Sequence, residues 1–527
     1  MSDASRATSP GYPGEPAPAR LNLAELAIGR AAAAAPDRVA LVVVTDPAAP
    51  AEAVERWTFG ELDRAVRSVA AGLLGQGLEP GDRLLIRLGN TSDYALLHFG
   101  AMAAGIISLP TSPQLTADEV AFLIEDSGAR AVAMSDALAV DLPPAVSRVS
   151  PADVARWRAE ASPAAYGLTR AEDPAFLVYT SGTTGRPKGV LHAHRSAWGR
   201  RPMHDAWLGL SEGDALLHAG AFNWTYTLGV GLTDPWINRA TALIYNGARD
   251  PGVWARLIEA HRATIFAAVP GVYRQLLRSP DLEAADLSSL RHGVTAGEAL
   301  QPALLEQWRE RTGLELYEAL GMSEISTFVS SGPGTPVRPG SPGRPQPGRC
   351  VAVLPMDGGD EPLGPGHTGL LAVHRTDPGL MLGYWRRPEE EAQVLRGDWF
   401  VGGDLVEIGA DGYLTFHGRA DDVMNAMGYR VSPLEVEDCL ARHPSVAEVG
   451  VTEVEVSPGV RIIVAFVVPR NADDSGGVDE AALMTHATEH LAAYKRPREI
   501  IYVEALPRTG NGKLRRRDLV SLAPAPR

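Results

Sequence analysis

From Leu21 to about Phe416, short apolar runs alternate with longer stretches in which apolar residues recur at helical spacing. Arg83–Leu88 (RLLIRL) reads as a strand and Tyr94–Ala104 as a helix. Phe176–Tyr179 (FLVY) reads as a strand running straight into a glycine-, threonine- and serine-rich loop, with a helical stretch from His192. Thr264–Val269 predicts a strand, and Gly271–Arg278 a helix started by Pro270. His292–Thr295 leads through Gly297 into a helix over Leu300–Arg311, followed by a strand at Leu314–Tyr317. Alternation of this kind implies parallel sheets wrapped by helices, an α/β class in which ligands sit beyond the carboxyl ends of the strands. The polar loops at Thr180, Gly297 and Gly321 each follow such a strand and are expected to converge.

From Gly366 the pattern becomes rich in strands and turns (GLLAVH, YLTFHG). Beyond Gly418-Arg419 a segment of about 100 residues predicts a helix at Pro433–Arg442, strands at Glu448–Val454 and Arg461–Val468, a polar loop at 471–477 and a helix at Asp479–Ala493. The expected organisation is a disordered lead-in at 1–20, a large body at 21–417 with a β-rich subdomain, a hinge at 418–422, a small mobile α+β domain at 423–518 and a tail at 519–527. Two or more domains are what 527 residues require.

Composition narrows the classes. The net charge of −15, from 49 basic and 64 acidic residues, disfavours nucleic-acid or anionic-membrane partners. No apolar run reaches the roughly 18 residues of a membrane span. Met1–Arg20 has no apolar core of a signal peptide, so a cytoplasmic setting is expected. Cys350 and Cys439 stand alone, as reduced thiols would.

The most informative stretch is Tyr179-Thr-Ser-Gly-Thr-Thr-Gly-Arg-Pro-Lys-Gly189. Glycines 182, 185 and 189 let backbone N–H groups turn toward an anion, Thr180, Ser181, Thr183 and Thr184 add hydroxyls, and Lys188 adds charge. A surface loop has little use for that combination directly after a buried-looking strand. It is not the P-loop of ATPases: Pro187 stands where that pattern needs glycine, and Gly189 where it needs serine or threonine.

YTSGTTGRPKG resembles the signature loop of the adenylate-forming superfamily, which includes AMP-forming acyl-CoA synthetases of the aryl and medium-chain type. Further segments resemble the family's motifs in its order: Glu318-Ala-Leu-Gly-Met-Ser-Glu324, Val401-Gly-Gly-Asp404, Gly418-Arg-Ala-Asp-Asp422 with Gly428-Tyr-Arg430, and Pro507-Arg-Thr-Gly-Asn-Gly-Lys513. The resemblance implies activation of a carboxylic acid by ATP to an acyl-adenylate, then transfer of the acyl group to coenzyme A. It implies that Ser181, Gly182 and their loop neighbours with Lys188 grip phosphates, that Lys513 bridges carboxylate and α-phosphate, and that Glu324 is both catalytic and the magnesium (Mg2+) ligand. Ser323 stands where the family usually has threonine. Gly297-Glu298-Ala299 and the strand-ending Glu318-Ala319-Leu320 would enclose adenine, Asp404 with Arg419 would hold the ribose, and Asp421 would be the hinge. Gly428 and Arg430 would meet coenzyme A.

Phe222-Asn223-Trp224-Thr225-Tyr226 resembles the segment lining the acyl pocket, with Gly271 and Gly321 nearby. Gly321 replaces the tryptophan of acetate-activating relatives, which implies an acid larger than acetate. Neutral Asn223 lacks the charge that amino-acid activators use to hold an ammonium, so the acid is expected to be aromatic or medium-chain. Expected partners are therefore that small acid, ATP and coenzyme A, and a homodimer stays open. The alternative is a stand-alone adenylation enzyme loading a carrier protein.

Overall fold

The computed structural model describes residues 14–50, 53–180, 187–248, 250–420, 422, 424–426, 429–457, 460–470, 480–491, 493–509, 512 and 514–523. Two large sheets form the body. The first has seven strands in the order Gly383–Tyr384, Lys188–Ala193, Pro174–Thr180, Ile107–Thr111, Arg83–Arg87, Ala131–Met134, Ser147–Val149. Its inner strands are parallel and buried along most of their length, which is why they read as unbroken apolar runs. Helix Phe59–Gly75 packs on helices Ser92–Ala103 and Pro151–Glu160 and against strands Val39–Val44 and Glu55–Thr58, started by a capping box in which Thr58 and Glu61 satisfy each other's backbone N–H at 2.9 and 3.2 Å. Gly72 of that helix lies under Trp157, where an added Cβ would sit 2.1 Å from the ring.

The second sheet has nine strands, parallel from Glu315–Met322 through His292–Ala296, Ile265–Ala268, Ala215–His218 and Thr241–Tyr245 to Val39–Val44, with antiparallel edges. One face buries Tyr273, Trp308 and Phe266; the other buries Trp207, Tyr226 and Val294. Burying each such side chain stabilises the fold by roughly 1.5–3 kcal/mol. A five-stranded antiparallel sheet follows, built on Val351–Leu354, Thr368–His374 and Trp399–Ile408 with Leu414–Arg419 beside it. At its junction with the body, Arg349 and Asp377 are fully buried and paired at 2.6 Å. The C-terminal domain is a three-stranded sheet, Val446–Ser457, Val460–Pro469 and Glu499–Tyr502, with helices Pro433–Ala441 and Glu480–His490 enclosing Val436, Leu440, Ile463 and Leu483. Among the described residues no helix is long and apolar enough to cross a membrane. Cys439 is buried and Cys350 partly buried.

Several expectations change. His192 lies in a strand that pairs antiparallel with Pro174–Thr180, and helix begins only at Ser196; Val190, Ala193 and the stacked Phe176–His192 rings bury that strand instead. Gly321 does not follow its strand but lies inside Glu315–Met322, because the edge strand Ser326–Ser330 extends the ladder. For the same reason Glu318, Ala319 and Leu320 are mid-strand rather than strand-ending. Residues 14–20 of the expected lead-in lie on the body, where the Glu15 carbonyl accepts from Trp198 Nε1 at 2.9 Å and the Glu15 carboxylate pairs with Arg201. The expected tail begins too early, since Leu519 is fully buried against Val454, Phe466 and Leu506. Residues 1–13 and 524–527 lie outside the described residues.

Candidate active site

Strands Pro174–Thr180 and Lys188–Ala193 pair antiparallel. Thr180 stands opposite Lys188 in the last pair before the connecting residues, and Tyr179 is anchored by its hydroxyl, which donates to Asp126 Oδ2 at 2.5 Å. Ser181, Gly182, Thr183, Thr184 and Gly185 lie between these ends, outside the described residues. Lys188 is half-buried and its ammonium lies 3.7 Å from the centroid of the Tyr384 ring, a favourable cation–π distance. Burial holds the Lys188 pKa below the usual lysine range, while Glu324 opposes that shift.

Tyr384 also donates its hydroxyl to Glu324 Oε1 at 2.7 Å. Burial and then the Glu324 charge push the phenol above its usual range, so it stays protonated and donating. One aromatic ring therefore joins the phosphate lysine to the expected metal ligand. Sequence reading missed Tyr384. Its strand Gly383–Tyr384 pairs with Leu191 and Val190, almost two hundred residues earlier in the chain, and no local pattern announces such a pairing.

Glu324 follows a segment fixed by its backbone. His192 Nε2 bonds the Ser323 carbonyl at 2.8 Å, and the Met381 N–H donates to the Glu324 carbonyl at 2.7 Å. Behind Ser323 lies a cavity of about 40 Å³ touching His192, Thr225 and Ser326, with room for water but not a ring. Gly402, two residues before Asp404, lies so close to Met322 that an added Cβ would be 2.5 Å from its Cε. The Asp404 strand is thus brought onto the Gly321–Glu324 segment. Asp404 is buried, and Arg419 Nη1 reaches its Oδ1 at 3.2 Å and the Gly402 carbonyl at 2.6 Å.

Ala296 and Ala319 are register partners, so the Gly297–Ala299 loop and the Glu318–Leu320 strand are neighbours. Gly297 adopts φ +94°, a conformation that side chains disfavour. Glu318 is buried, and its Oε1 accepts the Leu300 N–H at 2.9 Å. Burial, with a smaller push from Asp438 of the C-terminal domain, raises its pKa to about 8 despite that bond. Its carboxyl accordingly ties the 297–301 loop to the sheet in its neutral form.

The acyl-pocket candidates divide. Trp224 lies edge-to-face with Tyr226 at 5.8 Å, and an added Cβ on Gly297 would lie 3.2 Å from the Trp224 ring. Phe222 turns away into the core against Tyr94, 5.4 Å off. Gly271 faces Arg274 rather than an aromatic ring. At Gly321 an added Cβ would be 2.3 Å from the Ser326 carbonyl oxygen, so close strand packing demands glycine there whatever the substrate.

Lys513, Asp421 and Gly428 lie outside the described residues, and of Arg430 only the backbone is described. The residues flanking position 513 are informative. Arg508 and Leu514 form a bridge, and Arg508 Nη1 stands 3.9 Å from Glu298 Oε1, so Arg508 meets the 297–301 loop. Among the described residues no group of three or more His, Cys, Asp or Glu is arranged to hold a metal ion. A single carboxylate at Glu324, joined through Tyr384 to Lys188, does fit magnesium, which is held mainly by substrate phosphates and water.

The family model "AMP-binding enzyme" matches residues 28–385, and "AMP-binding enzyme C-terminal domain" matches 435–513. The chain is 31% identical over 483 residues to the uncharacterized acyl–CoA ligase YtcI of Bacillus subtilis (strain 168), covering 88% of this chain and 90% of that protein. It is 31% identical over 486 residues to the 3-hydroxybenzoate–CoA ligase of Aromatoleum sp. (strain CIB), covering 89% and 92%. The anthranilate CoA ligase AuaEII, solved in complex with anthranoyl-AMP, superimposes with a TM-score of 0.87 at 28% identity over 96% of this chain and 98% of that one. The chain therefore belongs to the AMP-binding enzyme family, as an AMP-forming acyl-CoA synthetase that uses ATP and coenzyme A.

Proposed function

We propose that this synthetase activates an aromatic carboxylic acid larger than acetate, with a medium-chain acid as the next best fit. The observation that carries the reading is the Trp224 ring laid against Gly297 and edge-on to Tyr226, beside a neutral Asn223. Aromatic faces at such an opening favour a flat ring, and an amide can hydrogen-bond a ring substituent. The names of two relatives, a 3-hydroxybenzoate–CoA ligase and an anthranilate CoA ligase, support the same class.

Adenylation brings a carboxylate onto a polyanion, so catalysis rests on placing positive charge where negative charge gathers. Lys188 and Arg419 supply that potential within an acidic protein, and Tyr384 holds Lys188 and Glu324 in one arrangement before substrate arrives. Glu324 would hold magnesium, which when bound neutralises phosphate charge. Asp404, oriented by Arg419, accepts the ribose hydroxyls. Lys513 enters with the C-terminal domain to bridge the carboxylate and the α-phosphate. Rotation about Asp421 then withdraws Lys513 and brings Gly428 and Arg430 to the thiol, so that each half-reaction has its own groups at one enclosed intermediate.

A panel of acids read by pyrophosphate release tests the acid class. Substituted benzoates should be turned over at least about tenfold faster than acetate or propionate in kcat/KM, the scale of discrimination a shaped apolar pocket provides. Equal rates for acetate and benzoate would remove the aromatic reading.

A further inference from the structure

The C-terminal domain meets the body at the 297–301 loop. Gln301 Nε2 lies 3.4 Å from Asp438 Oδ1, and Arg508 Nη1 lies 3.9 Å from Glu298 Oε1. The Arg508 guanidinium does more than touch the body. It donates to the Gly512 carbonyl at 2.6 Å and pairs with Glu448 of its own domain at 2.7 Å, and Arg508 bridges Leu514. One side chain therefore joins Gly512 and Glu448 of its own domain to Glu298 of the 297–301 loop.

Both charges have a second partner. Glu298 Oε2 is 3.8 Å from Arg274 of the body, and Arg508 keeps Glu448. Separating Arg508 from Glu298 thus leaves neither charge bare. This avoids the large penalty of breaking an ion pair whose partners depend on each other alone. A contact of this kind holds one pose without trapping it.

We infer that Arg508 is a positioning residue, a reversible latch on Glu298 that seats the C-terminal domain on the 297–301 loop for adenylation and lets go for thiol transfer. The inference rests on the reading that Lys513 acts in this pose and leaves in the other. It assigns Arg508 no contact with substrate; its effect passes through the seating of the domain. Because the guanidinium remains part-exposed, salt should weaken the latch.

The test separates the half-reactions in Arg508→Ala, Arg508→Lys and Lys513→Ala. Arg508→Ala should slow acid-dependent ATP–pyrophosphate exchange about fivefold in kcat with little change in KM for ATP, the scale of a partly exposed ion-pair network. Thioester formation from supplied acyl-adenylate and coenzyme A should stay at the wild-type rate or rise. Arg508→Lys should recover most of the exchange. In the unmodified enzyme, raised ionic strength should lower the ratio of exchange to thiol transfer, and Arg508→Ala should lose that sensitivity. If Arg508→Ala folds poorly, Arg508→Gln removes the same charge while keeping most of the side chain, and the same fall in that ratio is expected. Equal loss of both half-reactions, or unchanged exchange, overturns the latch. Exchange lost in Lys513→Ala but kept in Arg508→Ala removes the latch alone. Exchange kept in Lys513→Ala removes the reading beneath it.

Discussion

The body and the C-terminal domain contribute to the candidate site in different physical ways. In the body, each expected group is held by neighbours that do not depend on substrate: Glu324 by Tyr384, Asp404 by Arg419, the 297–301 loop by Glu318. The C-terminal domain reaches the same loop through longer polar contacts, at 3.4 and 3.9 Å, between side chains that keep other partners. The first is preorganisation; the second is a contact designed to be left. A single enclosed intermediate that must meet an α-phosphate and then a thiol needs both, because a site rigid throughout could present one set of groups only.

The largest effect that can break this contrast is at Lys513. Lys513→Ala should lower acid-dependent ATP–pyrophosphate exchange by about 100-fold or more while conversion of supplied acyl-adenylate continues, as expected for one lost charge-stabilising group. Next, Glu324→Gln should lower exchange by about 100-fold and raise the magnesium concentration needed for half-maximal rate, because the carboxylate both orients and neutralises. Tyr384→Phe should be milder: removing one hydrogen bond to a charged group costs roughly 1.5–3 kcal/mol, so an exchange loss of about tenfold or somewhat more is expected, with the cation–π contact retained. If Tyr384→Phe were as severe as Glu324→Gln, the tyrosine would be taking part in the chemistry itself.

The smallest effect concerns Glu318. Its folded pKa of about 8 lies above the ordinary 4.5, so between these values the folded protein holds a proton that the unfolded chain has lost. The resulting stability is complete below pH 4.5 and is lost as pH rises through about 8. Glu318→Gln should flatten this part of the profile, seen as a Tm that falls less than wild type from about pH 5 to about pH 9. A profile unchanged by the substitution would mean that the carboxyl is not buried as described.

How much of this was legible in the sequence depends on how local each constraint is. The strand into Thr180, the motif series and the helix after Gly297 are written in contiguous residues, and their periodicity or spacing is enough. The failures are all non-local. His192 is in a strand because Phe176 and Tyr384 flank it, and Gly321 is glycine because Ser326 crosses it. Phe222 and Trp224 share one segment that resembles an acyl-pocket lining, yet their side chains enter different cores. Tyr384 and Arg508 are invisible as site residues because their significance lies in partners far away in the chain, Glu324 and Lys188 for Tyr384 and Glu298 for Arg508.

The most direct measurement of the central claim, that a carboxylate attacks the α-phosphate and the acyl group then passes to coenzyme A, uses an aromatic acid labelled with oxygen-18 in its carboxylate. After a turnover with ATP, magnesium and coenzyme A, mass spectrometry should find a single labelled oxygen in AMP, and none in pyrophosphate. Label appearing in inorganic phosphate, with ADP as the nucleotide product, would contradict the account.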